Sequence, residues 1–279
     1  MKSPQFALHA QMEESHWWFL ARRKIATELI HRVVPPSRGK RVVDIGCGTG
    51  GNIASLMEDY SCVGIDPSAE AIEQARSRFP EARFICGSIP EDLGEAGSTA
   101  SLLLLMDVLE HAPDDFRLFS ELLSNIRPGS YLLLTVPADM SLWSEHDVSF
   151  GHYRRYDRSR LEMLWKNLPV SSCLVSHYNT RLYPLVRGLR TWSRWRGGPT
   201  GQAGTDFAMP SQPINLLLTK IFSSEARVLA ETLQGKRTRG FPYGVSLIAV
   251  LRREIGEIRP QTRPPHLPPD PHQPEGNHA

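Results

Sequence analysis

The chain has 279 residues and a mass of 31.4 kDa, long enough to bury a sizeable core. Hydrophobic residues at 41% and charged residues at 22% exclude wholesale disorder and fibrous structure. Lys and Arg number 32 against 30 Asp and Glu, a formal charge of +2 that excludes a dedicated nucleic-acid coat.

Only six of the cations are lysines, and arginine favours forked contacts to carboxylate or phosphate. Cys47, Cys62, Cys86 and Cys173 form neither a disulfide framework nor a zinc spacing, so a reducing compartment is expected. No apolar run approaches the roughly 18 residues of a membrane span, and the start of the chain lacks a signal-peptide stretch. A cytoplasmic protein is the expectation.

In chain order, apolar residues at helical spacing predict a helix over Glu13–Val34, ended by Pro35 and Pro36. Strand and helix patterns then alternate. Arg41–Ile45 reads as a strand, Asn52–Tyr60 as a helix, Cys62–Ile65 as a strand, Ala69–Phe79 as a helix and Ala82–Cys86 as a strand. Leu102–Met106 reads as a strand, Asp115–Ile126 as a helix and Tyr131–Val136 as a strand. This alternation with short connections argues for an α/β fold, a mostly parallel sheet covered on both faces.

The rhythm then breaks. Arg160–Asn167 reads as a helix and Cys173–His177 as a strand, and the next strand is Val245–Leu251. Residues 180–243 read as an insertion of two helices, Leu182–Trp195 and Ile214–Leu233, joined by a GGPTGQAGT loop. The last twenty residues, 260–279, hold seven of the 22 prolines and little to bury, and predict a disordered tail. The implied organisation is an N-terminal helical lid over 1–36, a domain over 37–259 and the tail.

The segment VVDIGCGTGGN is a strand entering a glycine-rich turn and then a helix. One register reads G-x-G-x-x-G (Gly46, Gly48, Gly51), the dinucleotide fingerprint; another reads D-x-G-x-G-x-G (Asp44, Gly46, Gly48, Gly50). A pyrophosphate at this turn would be opposed by Asp44. The ammonium of S-adenosylmethionine would be held by it, unless Asp44 merely caps the turn. Asp66, at the end of the second strand in CVGIDPS, can accept two hydrogen bonds from a ribose diol. Ser88 and Ile89 in CGSIPEDL could read an adenine edge and face.

DIGCGTGG, GIDPSAEAIEQAR, LMDVLEHAPD and IRPGSYLLLTVPA, in that order, resemble class I S-adenosylmethionine-dependent methyltransferases over residues 41–138. HWWFLARRKI and WSEHDVSFGHYRRYDRSRLEML are similar to a bacterial small-molecule subgroup, distantly like the ubiquinone-biosynthesis enzymes. The resemblance implies a Rossmann-like seven-stranded sheet whose last strand, Val245–Leu251, is antiparallel. It implies S-adenosylmethionine as cofactor, with Asp44, Gly46, Cys47, Gly48, Gly50, Asp66, Pro67, Ser88, Ile89, Met106 and Asp107 around it. One departure is Ser101, where many relatives begin the fourth strand with Asp.

Methyl transfer needs chiefly alignment of nucleophile, methyl carbon and sulfur, with a base when the acceptor is protonated. His111 is the nearest candidate base, or else a surface histidine beside Asp114 and Asp115; His152 is the second candidate. Asp107, Glu110 and His111 fall at i, i+3 and i+4 and would share a helix side. Similar acid-x-x-Glu-His stretches hold Mg²⁺ or Zn²⁺ in some relatives and none in others; no metal is expected here.

His146, Arg154, Arg155 and Tyr156 lie in a loop after the fifth strand, where this fold overhangs its acceptor. They suit a carboxylate or phosphate, or else pair with Asp147, Asp157, Glu13 and Glu14. Trp18 and Arg22 would close the pocket, or pack as core. The insertion's arginine- and aromatic-rich first helix could lie on an anionic membrane, cover an acceptor pocket, or pack on its neighbour.

The leading expectation is methyl transfer to an oxygen of a small or lipid-linked anionic acceptor, without nucleic acid and with peripheral membrane contact open. The alternatives are a nicotinamide-dependent oxidoreductase and a non-catalytic binding module.

Overall fold

The computed structural model describes residues 10–195 and 209–271, the side chains of Ser193 and Arg194 apart. The predicted GGPTGQAGT loop lies outside these residues. Seven strands form one sheet: β1 Arg41–Ile45, β2 Ser61–Asp66, β3 Arg83–Cys86, β4 Leu102–Met106, β5 Tyr131–Pro137, β6 Val170–Tyr178 and β7 Ser246–Arg253. Their order is β3-β2-β1-β4-β5-β7-β6. β7 runs antiparallel to both β5 and β6, and the other neighbours are parallel. The Rossmann-like architecture and its antiparallel last strand are as the family resemblance implies.

Successive strand side chains alternate between the two faces, and two cores follow. Val42, Leu102, Leu104, Leu133, Ile248 and Val250 pack with Ile25 and Leu29 of helix α1 (Trp17–Val33). Val43, Leu103, Leu105, Leu132, Leu134 and Leu251 pack instead with Phe116, Phe119 and Leu122 of a second helix, Asp115–Ser124. Both faces of the central strands are therefore dry, which is why they read as unbroken apolar runs.

The predicted N-terminal helix breaks at His16. There Asn215 accepts the Trp17 amide at 2.8 Å and donates to the Ser15 carbonyl at 2.8 Å, prising one turn apart. Asn215 belongs to a helix of the insertion, Gln212–Ser223. The expected long second insertion helix is thus two, that one and Ala226–Leu233. The predicted helix Asn52–Tyr60 is helical only over Gly51–Ala54 and continues as turns.

The tail departs from expectation over 260–271. Gln261 donates its amide to Ser120 Oγ at 2.9 Å, and Asp270 accepts two bonds from Arg154 at 2.9 and 2.8 Å. Charge pairing, which composition does not reveal, holds this stretch on the domain.

Candidate functional site

The glycine turn between β1 and Gly51–Ala54 takes left-handed backbone at Gly46 (φ +65°), Gly48 (φ +52°) and Gly50 (φ +84°). A side chain at any of them would be strained. The turn is tied to β2: the Cys47 amide donates to the Ile65 carbonyl at 3.0 Å and the Gly48 amide to Asp66 Oδ2 at 2.9 Å. Asp66 also accepts the Ser68 amide at 2.9 Å. Burial nonetheless raises its pKa above the ordinary carboxylate value. Cys47 is buried, and burial raises its thiol pKa strongly. Pro67 and Ser88 are exposed, and Ile89 is half-buried.

Asp44 lies on β1 with Gly64 and Leu104 as strand neighbours, fully buried. One carboxylate oxygen accepts from Asn52 Nδ2 at 3.4 Å; the other, Oδ1, has no hydrogen-bond partner. Burial lifts its pKa to about 7. A buried carboxylate oxygen without a partner is unfavourable by about 1–3 kcal/mol.

From Asp44 a polar chain runs outward. Asn52 Oδ1 accepts from Arg22 at 3.1 Å, and Arg22 pairs with Asp107. Asp107 also accepts from Thr135 Oγ1 at 3.1 Å and sits at φ +60°, a conformation worth about 1–3 kcal/mol of strain in a non-glycine residue. The Arg22 guanidinium lies 4.4 Å from the Trp18 ring centroid. Trp18 and Arg22, expected at the acceptor, thus stand with Asp107, which is expected at the donor; Met106 is buried beside them on β4. Arg22 is fixed by Asp107 and Asn52.

The N-terminal segment also grips the glycine turn. Glu13 is buried, accepting from Thr49 Oγ1 at 2.6 Å and from Arg78 at 2.7 Å. Its carboxylate carbon lies 2.4 Å from where a Cβ on Gly51 would stand. This glycine is needed for the close approach of Glu13. Glu13, Asn52 and Arg78 were not singled out as site residues in the sequence; the Asn directly after GTGG was the one local signal.

The 146–158 loop differs from expectation. Arg155 donates to Asp147 at 2.8 and 3.0 Å and to the Ala138 carbonyl at 3.1 Å. Arg154 forks onto Asp270 and also bonds the carbonyls of Leu109, Ala112 and Pro113 at 3.3, 2.7 and 3.0 Å. The Tyr156 hydroxyl donates to Asp115 at 2.7 Å, and the residue is fully buried. These three, expected to contact the acceptor, are internal and partnered. Arg155 meets Asp147, the pairing weighed against substrate contact; Arg154 finds Asp115 and Asp270 instead.

What Arg154 holds is the turn Leu109–His111. Here Glu110 is fully buried and neither of its carboxylate oxygens has a hydrogen-bond partner. Burial, then the neighbouring Asp107 charge, push its pKa well above the ordinary value. His111 reaches solvent in part. Packing around its ring and the nearby His152 lower its pKa and favour the neutral form. The His111 and His152 rings meet edge to face at 4.8 Å, with His146 6.4 Å from His152.

His152 Nδ1 bonds Asp147 at 3.0 Å. Burial pushes the Asp147 carboxyl up, but His152 and Arg155 outweigh it and hold the pKa well below the usual range. An ionised Asp147 accepts from Nδ1–H, which leaves Nε2 as the ring nitrogen that Asp147 does not engage. Donor atoms of Glu110, His111 and His152 all lie within 4.8 Å of one another and could hold a metal ion. His152 takes the place that the sequence spacing assigns to Asp107.

The sequence pattern of the methyltransferase domain family matches residues 18–169. A trans-aconitate 2-methyltransferase of Rhodopseudomonas palustris (strain HaA2) is 28% identical over 61% of this chain and 66% of its own length. Another, from Azoarcus sp. (strain BH72), is 32% identical over 42% of this chain and 46% of its length. The chain thus spans less than two thirds of these relatives. The plantazolicin methyltransferase BpumL, solved with a monoazolic desmethylPZN analog and SAH, shares the fold at TM-score 0.54 and 16% identity, covering 90% of both chains.

Proposed function

This chain belongs to the class I S-adenosylmethionine-dependent methyltransferases, and from that premise we propose that it methylates an oxygen of a small or lipid-linked anionic acceptor. The observation that carries the reading is the unpartnered Oδ1 of buried Asp44 beside three left-handed glycines. An ammonium satisfies that oxygen; a pyrophosphate would be repelled by it. The residues present fit the donor: Asp44 for the ammonium, Asp66 for the ribose diol, Ser88 and Ile89 for the adenine, and Met106 and Asp107 beside the methionine portion. When bound, the cofactor supplies an electrophilic methyl group. Arg22 and Asn52 fix the donor wall, and preorganised alignment is the main rate term.

Oxygen as the target is supported by the bases on hand. His152, oriented by Asp147, stands next to His111 past the end of β4 and can take a proton from a hydroxyl acceptor, whereas burial makes His111 a weak base. Support for an anionic acceptor comes from the carboxylate-bearing substrate in the relatives' names and from the arginines of residues 180–243, since Arg154 and Arg155 are committed internally. Isothermal titration with S-adenosylmethionine and NAD(P)H tests the donor assignment. Micromolar binding of the first alone is expected; tight binding of the second alone would revive the oxidoreductase alternative.

A further inference from the structure

The first insertion helix, which we label α2, spans Tyr183–Trp195. Leu185, Leu189 and Trp192 recur at i, i+4 and i+7, one stripe of a helix. The stripe is turned outward: these side chains are 56%, 55% and 51% exposed, and Trp195 is 82% exposed. On the opposite stripe Tyr183 and Arg190 tether the helix to the body, while Arg187 is exposed and bonds Tyr183 Oη at 3.3 Å. Tyr183 Oη donates to Asp139 at 2.6 Å and Arg190 bonds the Leu142 carbonyl. A surface helix normally buries its apolar stripe, so this one is inverted. Beside it Arg187 and the aromatic rings of Tyr183, Trp192, Trp195 and Tyr243 line a groove of about 850 Å³.

Charge says what covers this face. Residues 180–243 carry ten Lys and Arg against three acids, leaving 22 against 27 in the rest of the chain. α2 itself has no acid, and Asp139, whose charge acts on Arg187, accepts from Tyr183. Tryptophans, leucines and arginines together suit a bilayer interface, with rings at headgroup depth and guanidiniums on phosphates. No described helix is long and apolar enough to cross a membrane. We propose that α2 and its arginine-aromatic groove dock the protein on an anionic lipid surface, the groove taking a lipid phosphate. Asp139 and Leu142, which anchor α2, follow β5 at the same sheet edge as Met106 and Asp107. Docking therefore brings the acceptor side of the site to the bilayer. That last step, delivery of a lipid-linked acceptor, rests on the function proposed above; the docking itself does not.

Co-sedimentation of the full chain with vesicles tests it. Vesicles of equimolar phosphatidylcholine and phosphatidylglycerol are expected to bind it at least about tenfold better than phosphatidylcholine alone, with loss at high salt. Leu185→Asp with Leu189→Asp, and separately Arg187→Glu, are expected to weaken binding by about tenfold or more while S-adenosylhomocysteine affinity stays unchanged, which also shows that the variants fold. Equal binding to both vesicles, no binding to either, or unchanged binding of the variants would overturn the proposal. So would a dimer, seen by light scattering, that Leu185→Asp dissociates, since a second copy would then own the face. Vesicle binding without cofactor binding would instead sink the methyltransferase reading and leave the docking standing.

Discussion

The glycine turn and the arginine-rich loop at 146–158 are both dense in polar residues, yet they are built in opposite ways. Around the turn, Asp44 keeps an oxygen without a hydrogen-bond partner, and past β4 so does Glu110, twice over. In the loop, Arg154, Arg155, Tyr156 and Asp147 spend their polar atoms on one another, on Asp115, on Asp270 and on carbonyls. A buried charge with its hydrogen bonds complete holds structure; a buried carboxylate left incomplete is a candidate position for a ligand.

The contrast predicts that the two regions fail differently. The largest effect should be on stability, in the loop. Arg155→Ala takes from the buried Asp147 its arginine and is expected to destabilise by about 3–5 kcal/mol, read by urea unfolding. A normal midpoint with lost acceptor turnover would return Arg155 to the substrate. Asp66→Ala comes next: S-adenosylhomocysteine affinity should fall by at least about tenfold, because both ribose acceptors go, while unfolding shifts modestly. Unchanged affinity by titration calorimetry would remove Asp66 from the ribose.

Asp44→Asn should do the reverse of Arg155→Ala, leaving stability equal or higher by about 1 kcal/mol while weakening the cofactor. Its raised pKa sets the sign with pH. The folded state keeps a proton that the unfolded chain releases near 3.8, up to about 7. The contribution of Asp44 to stability is therefore full below the lower value and lost as pH rises through the window. Thermal melts from acid to neutral pH should show that decline in the wild type and a smaller one in Asp44→Asn. The smallest effect should come from Asp270→Asn, which leaves Arg154 its three carbonyls. A loss of about 1 kcal/mol is expected; a loss as large as that of Arg155→Ala would make the tail essential to the loop.

The same contrast explains what could be read in the sequence. Strands Arg41–Ile45 and Leu102–Met106 match their predicted bounds because burial on both faces writes a continuous apolar run. The glycine turn was legible because left-handed backbone demands glycine at fixed spacing. The short helices Gly94–Thr99 and Glu145–Ser149 were missed, four of the six residues of the first being Gly, Ser or Thr, weak helix formers. Among the site candidates, His111 with His152 and Asp44 with Asp66 are brought to one sheet edge. Arg154, Arg155 and Tyr156 are not presented there: Arg155 pairs with Asp147 close by in the chain, while the partners of Arg154 and Tyr156, Asp115 and Asp270, lie 39 to 116 positions away and no local pattern announces such pairs.

The central claim is that Asp44 is left incomplete for the cofactor's ammonium. S-adenosylhomocysteine titrated into wild type and Asp44→Asn at pH 6 and pH 8 tests it most directly. Ionisation of a carboxyl with a pKa of about 7 should make wild-type binding tighten by about tenfold between the two pH values, with proton release. Asp44→Asn should bind weakly and almost equally at both. Equal affinity of the two proteins at pH 8 would contradict the account.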